Sequence, residues 1–289
     1  MKTLSYVIAT LIFCSVANAQ PTPVTRAQCH EKFKNVLLVI NFNSPFFKNV
    51  SFLKQLYQGI FADILFYSDS KNAPHHPEVT LFPTHKGWLL GEVVEDVLTK
   101  YPEYEGYIIL QDDCILNVWN CLSFDLNKAW LPFATLDAAK SNYRWYQAAN
   151  MEPGSLPPHS WDNKYKYEAI RKAWEHFTPQ EHENLAHNVG VNMAPAAQCD
   201  LFYIPQRLRK DVLRLNSLLK ETLCEIAIPT IFAALESIND WQQETTMYWS
   251  TDWMQQVSYP TEFTCVHPVK LSQGHLRTIT QRMFNQYIM

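Results

Sequence analysis

Glycine is scarce in this chain, with seven among 289 residues. Neither G-x-G-x-x-G nor G-x-x-x-x-G-K-[ST] occurs, which argues against a backbone cradle for a dinucleotide and against P-loop phosphate chemistry. The common serine-hydrolase signature G-x-S-x-G is also missing. His182 and His187 miss the zinc-protease spacing H-E-x-x-H by one residue. Five residues apart on a helix, their imidazoles would point roughly 140° away from each other and could not share one metal. Basic runs are lacking too, and with a formal net charge of -4 nothing draws nucleic acid or an anionic membrane, so no nucleic-acid partner is expected. A hydrophobic fraction of 47% and a charged fraction of 18% exclude wholesale disorder.

Long apolar runs are absent apart from the first residues. Met1-Lys2 supplies a positive charge, Leu4 to Val16 an apolar stretch, and Ala17-Asn18-Ala19 an A-x-A site. This pattern predicts a secretory signal peptide over residues 1–19, with an uncleaved membrane anchor as the alternative. No other segment is expected to span a membrane. The protein is then placed in the lumen of the secretory pathway (Golgi or endoplasmic reticulum) or outside the cell. Residues 20–34 read as a polar leader pinned by Cys29, and residues 35–289 as one domain. Removing Cys14 with the signal leaves Cys29, Cys114, Cys121, Cys199, Cys224 and Cys265, an even number that allows up to three disulfides of undetermined pairing. Asn49-Val50-Ser51 is the one glycosylation sequon, and the chain ends without a retention tetrapeptide.

What the chain does have is a regular alternation of strand and helix patterns. Val36 to Ile40 is a buried-strand run closed by Asn41-Phe42-Asn43-Ser44-Pro45, and Val50, Leu53, Leu56 and Tyr57 repeat at helical spacing. Strands follow at Ala62 to Tyr67 and Val79 to Phe82, a helix at about Gly87 to Thr99, and a further strand at Tyr107 to Leu110. This order predicts an α/β fold with a mostly parallel, doubly wound sheet and helices on both faces. The last strand ends in Asp112-Asp113, at the carboxyl edge where such sheets bind ligands. Two adjacent carboxylates there suit a hard divalent cation, Mn²⁺ or Mg²⁺, and a cation that also carries a diphosphate suits group transfer from a nucleotide. The competing reading is a helix cap or turn. Asn41 and Asn43 either touch a nucleotide base or close a turn.

Further along, Glu225 is the single charge in the apolar segment Leu223 to Leu235, so it must be paired, protonated or at work. Asp252 lies between Trp249 and Trp253, an arrangement suited to stacking a sugar. Met151 to Pro158 reads as an ordered loop, either a lid or acceptor-binding element or a plain connection. Phe263 to Val266 is a short strand leading into His267-Pro268-Val269-Lys270, where an imidazole can ligate a metal and an ammonium can meet phosphate.

Together these pieces resemble a nucleotide-sugar glycosyltransferase of the GT-A type. Gly106-Tyr107-Ile108 with Gln111-Asp112-Asp113, Tyr203-Ile204-Pro205, Glu225-Ile226-Ala227-Ile228-Pro229-Thr230, and His267-Pro268-Val269-Lys270-Leu271-Ser272 are similar to the STELLO-type family of proposed glycosyltransferases, across about Asn35 to Ser272. The resemblance implies a GT-A-like domain in which Asp112, Asp113 and His267 bind the metal. Asp112 and Lys270 would also face the diphosphate, and Glu225 or Asp252 the acceptor. The donor would be a nucleotide-diphosphate sugar and the acceptor a glycan or glycoprotein. Gln111-Asp112-Asp113 departs from the Asp-x-Asp triplet of that type. Some members of the family act as partners of other glycan enzymes, so a catalytically inactive glycan- or protein-binding partner is the alternative.

Overall fold

The computed structural model describes residues 21–71, 73–135, 147–152, 167–256 and 259–289. Its strands are β1 (Val36–Phe42), β2 (Asp63–Asp69), β3 (Val79–Phe82), β4 (Gly106–Gln111), β5 (Ile115–Leu116), β6 (Phe133–Thr135), β7 (Gln147–Asn150), β8 (Met193–Ala196), β9 (Leu201–Pro205), β10 (Thr246–Trp249) and β11 (Cys265–His267). The main sheet has the order β3-β2-β1-β4-β9, in which β9 runs antiparallel and the other neighbours pair in parallel. A second sheet has the order β5-β11-β10-β6, and β7 pairs with β8. The α-helices are α1 (Arg26–Phe33), α2 (Val50–Tyr57), α3 (Gly91–Lys100), α4 (Tyr167–Trp174), α5 (Pro179–Val189), α6 (Arg209–Leu219), α7 (Cys224–Leu235), α8 (Asp252–Gln256) and α9 (Gly274–Tyr287). The result is a single α/β domain, compatible with a GT-A-like fold.

Every residue of β1 and β4 is buried, which is why neither strand alternates in polarity. The alternation is instead between two cores. Leu38, Ile40, Ile108 and Leu110 join one apolar cluster with α2 and α9, while Leu37, Val39, Tyr107 and Ile109 join the other with α3, α6 and α7. Residues 21–34, read from sequence as a leader, contribute to the first core. Thr25 and Gln28 form a capping box that starts α1, Cys29 and Phe33 are fully buried, and Val24 bonds to Tyr287 and Met289 at the other end of the chain.

The six cysteines after residue 20 are free thiols in the structure, which corrects the expectation of disulfides. All are buried and behave as small apolar side chains; burial pushes the Cys29 thiol up to about 11. Among the described residues no helix is long and apolar enough to cross a membrane. The signal region and the segment Pro153 to Pro158 lie outside the described residues.

Because β1, β2 and β4 are parallel, their carboxyl ends open on one edge. That edge receives Asn43, Asp69 and Asp112-Asp113, and the antiparallel β9 begins there, directly after Asp200.

Candidate functional site

The backbone builds the site in three steps. Asp112 N bonds to Asn41 O at 2.8 Å, and Cys114 N to Gln111 O at 3.0 Å, so the chain turns tightly after β4. It then enters β5, which pairs antiparallel with β11 through Ile115 and Val266. One step beyond that pair, His267 comes alongside Asp113, and a bond from Val269 N to Asp113 O at 2.7 Å closes the return. Asp113 and His267, 154 positions apart in sequence, thus meet: His267 Nε2 is 3.3 Å from Asp113 Oδ1. The same nitrogen is 3.5 Å from Asp200 Oδ1, and Lys270 Nζ lies 2.6 Å from Asp113 Oδ2.

The electrostatics separate the adjacent aspartates. Burial raises the Asp113 carboxyl, but the His267 imidazolium and the Lys270 ammonium outweigh it and hold the group at about 2. Burial, reinforced by the charge of Asp113, pushes Asp112 up to about 7. Asp112 Oδ1 accepts a bond from Asn43 N at 3.0 Å. Burial also raises Asp200, and although burial alone would lower His267, Asp200 and Asp113 raise it.

A pH dependence follows for the metal-free protein. Asp112 and His267 bind their protons more tightly folded than unfolded, so their stabilising contribution is present at low pH and lost as pH rises. For Asp112 the loss runs from the ordinary carboxylate range up to about 7, and for His267 it occurs through a value above the ordinary imidazole one. Melting temperature in chelator should therefore decline between about pH 5 and 8. Asp112→Asn should flatten that decline, and an unchanged slope would show that Asp112 titrates normally.

Among the described residues, three clefts are lined by residues of this sheet edge. The first, of about 260 Å³, is lined by Asn43, Gly87, Trp88, Gln111, Asp200 and Glu225. The second, of about 570 Å³, is lined by Asn43, Asp69, Lys71, His85, Lys86 and Trp88. The third, of about 160 Å³, lies over Asn43, Phe46, Asp112, Asp113 and Lys270. The wall between the first two is the turn at His85, Lys86 and Gly87, all three with positive φ (48°, 61° and 81°). Asp69 Oδ2 accepts from Lys86 N at 2.6 Å and Gln111 Nε2 donates to Gly87 O at 3.1 Å, which fixes the turn. A Cβ at Gly87 would stand 1.9 Å from Asn43 Oδ1, so only glycine allows this approach.

The residues singled out from sequence fall into two groups. Asn43, Asp112, Asp113, Glu225, His267 and Lys270 line the clefts or the cluster between them. Asn41 does not reach a cleft: it is fully buried, and its amide donates to Gln111 Oε1 at 3.0 Å. Asp252 is exposed at the start of α8 and lines none of the three clefts. Trp253 is a core residue packed on Tyr259, so it offers no sugar platform. His182 packs on Trp174 and Phe177. Asp69, Trp88 and Asp200 were not legible as site residues. Asp69 and Asp200 do sit where a strand ends or begins, but only the strand pairing shows that both open on the same edge. Trp88, 54% exposed, gives no sequence signal at all.

No family model matches the chain. The chain is 24% identical over 222 residues to "Probable glycosyltransferase STELLO1" of Arabidopsis thaliana, a match covering 72% of this chain and 25% of that protein. It is 23% identical over 210 residues to "Probable glycosyltransferase STELLO2" of the same plant, covering 72% of this chain and 26% of that one. The chain thus spans about a quarter of the length of these curated relatives.

Proposed function

We propose that this domain is a metal-dependent glycosyltransferase of the secretory pathway, moving a sugar from a nucleotide-diphosphate donor to a glycan or glycoprotein. The names of the two relatives support a glycosyltransferase-like relationship. The observation that carries the reading is the meeting of Asp113, His267 and Lys270 at the sheet's carboxyl edge, one cleft away from Glu225.

Among the described residues no three His, Cys, Asp or Glu side chains form a ready-made metal site. Two candidate donors, the Asp113 carboxylate and the His267 imidazole, nevertheless stand side by side. Asp113 Oδ1 and His267 Nδ1 are buried without hydrogen bonds, and one imidazole nitrogen faces carboxylate oxygens. Asp113 and His267 would hold Mn²⁺ or Mg²⁺, which when bound offsets the charge growing on the departing nucleoside diphosphate. Lys270, about half exposed beside Asp113, is placed to meet phosphate oxygens at the rim. The larger cleft, with Lys71, His85 and Lys86 along one wall and the Trp88 indole along another, has room for the nucleoside. Glu225 in the first turn of α7 lines the acidic cleft, where a carboxylate can accept a proton from an acceptor hydroxyl.

The test is a melting-temperature screen of nucleotide sugars with Mn²⁺ and with chelator. A donor at about 100 times its dissociation constant should stabilise the protein by about 2.7 kcal/mol. That corresponds to a shift of roughly 5–10 °C seen only when metal and nucleotide are both present. Stabilisation by glycans alone, with no response to any nucleotide sugar, would replace this reading with that of an inactive glycan-binding partner.

A further inference from the structure

We propose that Trp88 is the stacking platform for an uncharged pyranose ring of the acceptor, which sits in the first cleft with its hydroxyls toward Asp200 and Glu225. The cleft is the acceptor's only through the transferase reading above; that it takes a sugar rests on its own lining.

Among the described residues Phe46 and Trp88 are the exposed Phe, Tyr or Trp side chains, and of the two Trp88 lines the first cleft. Indoles are highly buried on average, so one left 54% exposed asks for a reason. Its main chain is fixed. Trp88 O accepts from Cys224 N at 2.8 Å, at the start of α7, and beyond Trp88 the chain enters the core at Leu89 and Leu90. The turn before it is left-handed at His85 and Lys86 as well as at Gly87, a backbone that residues other than glycine adopt at a cost. Bonds from Lys86 N to Asp69 Oδ2 at 2.6 Å and from Gly87 N to Thr84 Oγ1 at 3.3 Å hold it in place. A strained and heavily bonded turn thus carries an indole to the rim of the site. An apolar docking patch accounts for it poorly, because His85 and Lys86 are exposed beside it in the chain and two carboxylates line the same cleft.

The lining suits a sugar. A pyranose presents a patch of C–H groups that packs on an aromatic face, while its hydroxyls reach for hydrogen-bond partners around the ring. The first cleft offers both kinds of partner: the Trp88 indole, and the Asp200 and Glu225 carboxylates with the Asn43 amide. Two carboxylates against the single ammonium of Lys86 disfavour an anionic sugar. At about 260 Å³ the cleft is smaller than the roughly 300–1,000 Å³ of a drug-sized site, so it suits one ring rather than a chain. Glu225, the proposed base, lines the same cleft, so a ring held there adjoins it. Trp88 also lines the second cleft, which makes stacking on the nucleoside the competing assignment.

The test follows binding of methyl β-D-glucopyranoside, methyl β-D-galactopyranoside and methyl β-D-glucuronide by saturation-transfer NMR, in chelator and without nucleotide. Wild type should bind a neutral glycoside more tightly than the glucuronide, with transfer strongest at the ring C–H protons. Trp88→Ala should weaken that binding by about tenfold, the worth of one aromatic contact. Trp88→Tyr should restore most of it, and equal melting temperatures of the two variants separate lost stacking from lost folding. UDP and GDP with Mn²⁺ supply the comparison, in which Trp88→Ala should show the smaller loss. Equal glycoside binding by wild type and Trp88→Ala, no binding of either neutral glycoside, or tighter binding of the glucuronide would overturn the proposal. A loss confined to UDP or GDP would also overturn it and give the indole to the nucleoside. Trp88-dependent glycoside binding by a protein that binds neither UDP nor GDP would uphold the sugar platform and end the transferase reading instead.

Discussion

Asp113→Ala should abolish metal-dependent nucleotide-sugar binding and also lower the melting temperature of the metal-free protein. From sequence alone, two adjacent aspartates are expected to repel, so that removing one would barely weaken the fold. The structure reverses that expectation for Asp113. Its carboxyl is held at about 2 by His267 and Lys270, so its ion-pair contribution is fully present above the ordinary carboxylate range and is lost only as pH falls through about 2. At neutral pH the alanine variant therefore leaves a buried imidazole and an ammonium without their shared partner. We expect a cost of about 1–3 kcal/mol, toward the lower end because Lys270 is half exposed and screened. Mn²⁺ affinity should fall by more than the 10–100-fold typical of outer-shell changes. The measurement is melting temperature and nucleotide-sugar affinity, each with Mn²⁺ and with chelator, for wild type and variant side by side. A destabilised variant whose wild type never binds nucleotide would reduce Asp113 to a structural ion pair and end the transferase reading.

Glu225→Gln should cut turnover by roughly 10²–10⁴-fold while leaving donor affinity unchanged, if the transfer inverts configuration and needs a base. The substitution nearly preserves volume and removes only basicity. Glu225 occupies the first turn of α7, where the helix N-terminus favours a negative side chain, and it lines the cleft shared with Asp200, Trp88 and Asn43. Losing that helix-end interaction costs about 0.3–1 kcal/mol, too little to mimic the kinetic loss. Single-turnover rates with saturating donor separate the two effects. Loss of donor binding with the chemical step intact would move Glu225 from the acceptor side to the nucleotide.

The parallel strands β1 and β4 and the position of Asp112-Asp113 were legible in the sequence because strands buried on both faces are continuous apolar runs, and such runs end where the sheet opens. Helix α2 was equally legible, since its apolar residues repeat on one face. The candidate role of Glu225 was legible for a different reason: an isolated charge in an apolar segment is costly and calls for an explanation. All of these signals are local, a pattern within about ten residues or a single conspicuous side chain.

What the local pattern could not decide was direction and pairing. Asp112 and Asp113 are equal in sequence, yet one bonds to a backbone N–H and is raised to about 7, and the other meets His267 and Lys270 and is held at about 2. Asp252 between two indoles looks like a sugar site, but Trp253 turns into the core and Asp252 is left on the surface. Asp200 has no local mark whatever, because its place beside His267 comes from the antiparallel register of β9 against β4, a relation between residues 89 positions apart. Which segments become buried strands and helices, and where the sheet edge presents carboxylates, could be read from the chain alone, since burial and periodicity are properties of short stretches. Which of those carboxylates meet His267 and Lys270 could not, because that depends on strand order and side-chain direction, and a one-residue change of register would turn every such side chain to the opposite face.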